Sequence, residues 1–316
     1  MKASSFSLIL TIFLILASCI SPRYLDVQVL NPAEVKLPQN IEKLFIVRNK
    51  LIIDANNIKD TLYLCFLNNF YDKLNKTLPQ SPLFADCKFY VCSPDSFRKI
   101  FMESSYTNRK RYAIFSIDSL ALKDSLQYID RENNYNQPSV KLELKFSIVG
   151  RFWKFSSPEN FIVVRQKDTL FWEFSDYYEF QYQMPNNIVA YSEGGNAIGE
   201  IFAQKMAPYW TTHERILFHN NNKYMRKAYQ AYVKDNLSGA IKNWERVYNL
   251  GTKILASLAA HNVAVCYEML DDLDLCEEWL GKSIVARPNS ITQNYLLEIK
   301  KRRSNVIMLN KQMLLQ

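Results

Sequence analysis

The hydrophobic period of this chain changes once, near Pro185, and that change sets its architecture. Before it, apolar and polar residues alternate: Leu142, Leu144, Phe146 and Ile148 fall on one face of a strand, Lys141, Glu143, Lys145 and Ser147 on the other. After it, from Ile188 onward, strand signals vanish and apolar residues recur at helical spacing. A period of two followed by a period of 3.6 calls for a sheet-based domain and then a helical one. The expected fold class is α+β: an α/β sandwich with a mixed sheet over 31–185, followed by an all-α domain over 186–316.

Within the first domain, Leu44 to Val47 is a short continuous apolar run, the pattern of a strand covered on both faces. A helix follows, with Asp60 as N-cap, Leu62, Phe66, Phe70 and Leu74 at spacing four, and Pro79 as its stop. Phe84 to Cys92 predicts a strand, Asp95 to Met102 a short helix and Tyr112 to Ile117 another strand. Phe161 to Arg165 and Thr169 to Phe174 predict a hairpin closed by Gln166, Lys167 and Asp168. Strand–helix–strand first and a meander afterwards require parallel and antiparallel neighbours in one sheet. The second domain opens with a long helix from about Ile188 to Trp210, in which Gly195 and Gly199 permit close helix packing.

Helix pairs then recur. Ala228, Ala231 and Tyr232 lie on a first helix, and Ala240, Trp244 and Val247 on its partner. Ala260, Val263, Ala264 and Tyr267 repeat the first, and Cys276, Leu280 and Ser283 the second, closing at Pro288. Small residues let paired helices approach, and Tyr or Trp fills the opposite hole. Ala240 and Cys276 are 36 residues apart, against a tetratricopeptide period of about 34. The segment resembles tetratricopeptide repeats, with a capping helix around Asn294 to Arg303. The resemblance implies that the first helix of each unit lines a concave groove for a protein or peptide partner. It places Met225, Tyr229 and Tyr232 of the first unit beside His261, Asn262 and Glu268 of the second. Asn262 matches one position of the carboxylate-clamp version of this groove. Met225 and Tyr229 stand where its Lys and Asn would be, so an apolar or aromatic peptide is the expected ligand. The competing reading packs Tyr229 and Tyr232 against the helix Ile188 to Trp210.

The amino terminus carries an address. Lys2 precedes Phe6 to Leu16, an apolar run too short for a bilayer span of roughly 20 residues. Leu16-Ala17-Ser18-Cys19 resembles the lipobox of bacterial lipoproteins, which implies a signal peptide over 1–18, diacylation of Cys19 and a lipidated linker over 19–30. Two or three acyl chains suffice for stable anchoring. Ile20 to Tyr24 lacks the acidic cluster that resembles surface-export signals, so the anchor is expected in the outer membrane facing the periplasm. The lipobox, the strand Lys43 to Arg48, the hairpin around Phe161 to Phe174 and the run Met206-Ala207-Pro208-Tyr209-Trp210 before Arg215 together resemble a Bacteroidota envelope lipoprotein family without assigned activity. That resemblance implies no catalytic residues.

Little else in the chain points to chemistry. Seven glycines and three histidines leave scant material for phosphate loops or histidine-based sites. His213-Glu214 opens like a zincin helix, but Leu217 stands where the second His is needed. Asp271, Asp272 and Asp274 lack the glycine of a calcium loop and fit an inter-helix turn. After Cys19, five cysteines remain, an odd number without a CxxC pair, and structural burial is their expected role. The net charge of +8 includes Arg109-Lys110-Arg111 and Lys300-Lys301-Arg302-Arg303, either solvated or touching anionic headgroups. Nucleic acid is not an expected partner in the periplasm. The expected function is non-enzymatic interaction or assembly through the helical repeats, with no metal or cofactor. The alternative is an envelope hydrolase or carbohydrate-handling accessory using aromatics such as Trp153 and Trp172.

Overall fold

The computed structural model describes residues 21–38, 40–48, 58–104, 111–129, 139–174 and 177–313. The signal peptide, Cys19, Arg109 and Lys110 lie outside them. The chain is α+β, a mixed sheet region followed by a run of helices, and it forms two compact units.

The sheet unit takes Pro32 to Tyr209 and the chain end from Leu309. Its five strands are β2 (Lys43–Val47), β3 (Lys88–Cys92), β4 (Tyr112–Ile129), β5 (Ser139–Lys154) and β6 (Ser157–Phe174), in the order β3-β2-β4-β5-β6. β2 runs parallel to both neighbours, with Phe45 between Tyr90 and Ile114, while β4, β5 and β6 form an antiparallel meander. Leu44, Phe45 and Ile46 are fully buried, as an apolar run covered on both faces requires.

Helices α1 (Ile58–Thr77) and α4 (Asn187–Met206) cover one face, over Leu44, Ile46, Phe115, Leu144, Ile148 and Phe152. Their approach depends on glycine. A Cβ on Gly195 would stand 2.2 Å from the Phe66 carbonyl oxygen, and one on Gly199 2.5 Å from that of Phe70. The glycines are four residues apart and so are their partners, so the two helices lie backbone to backbone. On the other face, Phe45, Val47, Tyr112 and Ile114 pack with Phe97 and Phe101 of α2 (Pro94–Glu103), a helix capped by Ser93.

Several boundaries differ from the sequence reading. Asp60 lies in the first turn of α1 rather than at its cap. Pro82–Phe84 forms a 3-10 turn, so β3 starts only at Lys88. β4 runs past Ile117 through a register shift and on to Ile129. The predicted hairpin at Gln166, Lys167 and Asp168 is absent: these residues pair with Ile148, Ser147 and Phe146 inside the continuous strand β6. They are polar because β6 is an edge strand, not because the chain turns there. A short helix α3 (Tyr177–Gln183) precedes α4. α4 ends at Met206 rather than Trp210: Ala207 is extended, φ −142°, and Pro208 cannot continue the helix.

The helical unit takes β1 (Ser21–Asn31), β7 (Tyr209–His219) from Trp210 on, the helices α5 (Lys223–Val233), α6 (Leu237–Leu250), α7 (Lys253–Met269) and α8 (Leu273–Ala286), and α9 (Ser290–Met313) as far as Met308. The division therefore falls at Asn31/Pro32 and Tyr209/Trp210, not at Pro185, because α4 packs on α1. From Ser21 the expected linker is a strand instead, since β1 pairs with β7. The helical repeat is plain in the turns. Asp235 and Asp271, 36 residues apart, both adopt the left-handed conformation, φ 58° and 59°. Each is followed by a capping side chain, Asn236 accepting from Gly239 N–H and Asp272 from Leu275 N–H.

Candidate partner-binding groove

α7 is apolar on nearly every side and buried along most of its length. Its neighbours are α6 and α8, and along it lies β7. Asn262 Oδ1 accepts from the Phe218 N–H at 2.8 Å, and Asn262 Nδ2 donates to the Phe218 carbonyl at 2.7 Å. One amide thus satisfies both backbone groups of one strand residue. His261 adds a second hold one turn of the pleat away: its Nε2 lies 3.0 Å from the Ile216 carbonyl, and its Nδ1 2.9 Å from Thr292 Oγ1. A carbonyl only accepts, so Nε2 carries the proton and Nδ1 accepts from the threonine hydroxyl. Burial drives the His261 ring down to about 4, and the ring is neutral at ordinary pH.

The third hold is ionic. Arg215 Nε and Nη2 reach Glu268 Oε2 and Oε1 at 2.7 and 2.9 Å, and Nη1 reaches Glu298 at 2.7 Å. Tyr295 donates its hydroxyl to Glu268 at 2.5 Å, and Arg302 bridges Glu268 at 3.0 Å and Asp271 at 2.8 Å. Burial works to raise the Glu268 carboxyl. The hydrogen bonds and charge of Arg215, with Tyr295 and Arg302, outweigh it and hold the carboxyl below its usual value. Burial also pushes the Tyr295 phenol well up, so it stays a donor.

These contacts correct the sequence reading of the groove. His261 and Asn262 are buried and spent on β7, so no partner reaches them. Met225 is buried as well. Tyr229 and Tyr232 are half-buried: Tyr229 meets His219 of β7 edge-on at 5.1 Å, and Tyr232 lies 6.5 Å from Trp244. Their ring neighbours are thus in β7 and α6. The chain's own strand occupies the place where a peptide was expected. Glu268, expected on the groove surface, is buried against Arg215 and Tyr295, two partners that sequence reasoning did not join to it. The all-round apolar pattern of α7 is the signal that its His, Asn and Glu face protein.

The second basic run is also spent inside the unit. Arg302 pairs with Glu268 and Asp271, Arg303 with Asp274 and Glu277, and Lys300 approaches Glu277 at 3.8 Å, pinning α9 to α7 and α8. Asp271, Asp272 and Asp274 hold a turn, a cap and an ion pair. Five cysteines are free thiols, of which Cys266 and Cys276 are buried and pushed up to about 12 by burial.

In the sheet unit, Trp172 donates its indole N–H to Glu193 at 3.1 Å, and Trp153 packs with the Phe45 cluster. A depression of about 490 Å³ is lined by Glu42, Asp86, Cys87 and Arg111 among others. Its Glu42 is ion-paired with Arg111, and burial pushes the Cys87 thiol up to about 11, far from a nucleophile's range.

Fold and site together define an α+β protein whose helical hairpins hold a strand of their own chain. Residues 111–218 match a family model described as a domain of unknown function, DUF8603, and residues 226–301 another domain of unknown function, DUF6340. No curated protein matches in sequence. Among solved structures, a neuraminyllactose-binding hemagglutinin homologue of Helicobacter pylori is similar at 8% identity, over 54% of this chain and 86% of its own, with a TM-score of 0.31. PelC of Paraburkholderia phytofirmans is similar at 9% identity, over 58% of this chain and 99% of its own, with a TM-score of 0.21.

Proposed function

We propose that this chain is a lipid-anchored envelope protein of the outer membrane, facing the periplasm, that acts as a non-enzymatic interaction or assembly module. The observation that carries the reading is the closure of the repeat groove by β7. A groove whose buried His261, Asn262 and Glu268 are bonded to the chain's own β7 and α9 makes the helical unit a preassembled scaffold, and contact with a protein partner then falls to its outer helices. There Leu250 and Val285, 71% and 85% exposed, stand on the C-terminal turns of α6 and α8, one in each repeat. The anchor rests on the Leu16-Ala17-Ser18-Cys19 sequence. Two variants in the native bacterium test the two halves separately. Cys19→Ala is expected to abolish labelling by an alkyne fatty acid and release the chain from the membrane. Leu250→Glu with Val285→Glu is expected to leave labelling intact and to remove crosslinked partners. Unchanged crosslinking in the second variant overturns the outer-helix surface.

A further inference from the structure

β6 is 18 residues long and, among the described residues, pairs with a strand on one side only. Such an edge is a template for another strand. In an antiparallel pair, backbone groups alternate between the two edges. The Thr169 N–H, taken by Asp168 Oδ1 at 2.8 Å, and the Arg165 carbonyl, taken by Lys205 Nζ at 3.2 Å, belong to the odd-numbered set that faces away from β5. Lys205 is itself held by Glu34 at 2.8 Å, so one lone pair of the Arg165 carbonyl is taken and Arg165 is the last residue of the open stretch. No other strand of the described chain pairs with the stretch beyond it.

That stretch is complementary to itself. Arg165, Lys167, Thr169, Phe171 and Glu173 share one face of the sheet, with Phe171 57% exposed. Run antiparallel against its own copy about Thr169, the strand sets Arg165 opposite Glu173, Lys167 opposite Phe171, and Thr169 opposite Thr169. Each of these is a favourable cross-strand pair: opposite charges, a cation beside an aromatic face, and threonine with threonine. A shift of the centre to Gln166 sets Arg165 against Lys167 and Glu159 against Glu173. A shift to Val163 puts the pairing on the occupied side of Arg165.

We propose that two copies of this chain pair through β6, antiparallel, with the twofold axis at Thr169, joining their sheets into one of ten strands. The occupant is a second copy because the charge pattern is answered by its own reversal. Asp168 acts as the guard of this edge: in the single chain its carboxylate takes the N–H that the second copy needs.

Disulfide trapping of the full-length protein in detergent tests this without reference to the lipid anchor. Thr169→Cys is expected to yield at least tenfold more oxidised dimer than the unsubstituted chain, whose own cysteines set the background. Paired residues of adjacent strands fall within disulfide reach. Asp168→Ala is expected to raise the Thr169→Cys dimer severalfold. Arg165→Glu is expected to lower it about fivefold, and Arg165→Glu with Glu173→Arg to restore it. If Thr169→Cys does not fold, a mixture of Lys167→Cys and Phe171→Cys chains must crosslink to each other. The proposal is overturned if trapping does not exceed background, if Val163→Cys traps better than Thr169→Cys, or if the charge exchange fails to restore the dimer.

Discussion

Arg215 grips Glu268 through two parallel hydrogen bonds of 2.7 and 2.9 Å, joining β7 to α7 inside the helical unit. Removing one member of such a pair leaves the other charged and buried. Glu268→Gln is expected to cost about 3–5 kcal/mol, mostly from the stranded guanidinium. Glu298→Gln, at the exposed side of the same arginine, is expected to cost under about 1 kcal/mol. Urea unfolding of the two variants side by side measures the contrast, and equal losses would contradict the buried-pair account.

His261 gives the helical unit an acid-side weakness. Its folded value, about 4, lies below the ordinary 6.5. The unfolded chain therefore binds a proton that the folded chain refuses. Stability is whole above about pH 6.5 and falls as pH drops towards 4, by up to about 3 kcal/mol. Glu268, held below the usual carboxylate value, loses its contribution only at still lower pH. His261→Gln keeps a donor for the Ile216 carbonyl and has no charge to gain. Its melting temperature is expected to be flat across that window, where the native chain's declines.

Two glycines in helices should respond with opposite signs. Gly195→Ala drives a methyl into the Phe66 carbonyl and is expected to destabilise by about 1–3 kcal/mol. Gly281 lies inside α8 with nothing within 4 Å of the added Cβ. Gly281→Ala is expected to stabilise by about 0.5–1 kcal/mol through helix propensity alone. Thermal unfolding of both variants reads the two signs directly.

Asn262→Leu keeps approximate volume and removes both hydrogen bonds to Phe218. Two buried backbone groups then lack partners, at about 1–3 kcal/mol each. Hydrogen exchange at Phe218 is expected to rise sharply, with exchange along α1 unchanged. Protection at Phe218 equal to that of the native chain would show that α7 does not hold the strand.

The parts of the fold readable from the chain were those with a clean period. The Lys141–Ile148 alternation, the spacing of Leu62, Phe66, Phe70 and Leu74, and the recurrence from Ala240 to Cys276 each became the element expected. Gly195 and Gly199 were legible as a close approach because their spacing matches one helical turn. The illegible parts were strands whose signals lay inside other readings. Leu25, Val27 and Val29 alternate with Asp26 and Gln28, yet stood in a stretch read as a lipidated linker. Tyr209–His219 followed a helix and carried charge, and nothing local marks its Arg215 as buried, because the partner, Glu268, lies 53 residues further on. Polar Gln166, Lys167 and Asp168 mimic a turn because an edge strand and a loop both face water. His261 and Asn262 were misplaced for the same reason: the backbone they hold belongs to a strand that was not recognised.

β1 begins at Ser21, two residues after Cys19. Two residues span at most about 7 Å. Were Cys19 to carry the proposed acyl chains, a pull on that anchor would load the first residues of β1 directly. That load passes to β7 through the strand pair and through Gln28 to Thr212 and Asn31 to Thr211. From β7 it reaches Arg215 and the core of the helical unit. Extraction from the bilayer and unfolding of this unit would thus compete along one mechanical path, with the buried Arg215–Glu268 pair as its lock.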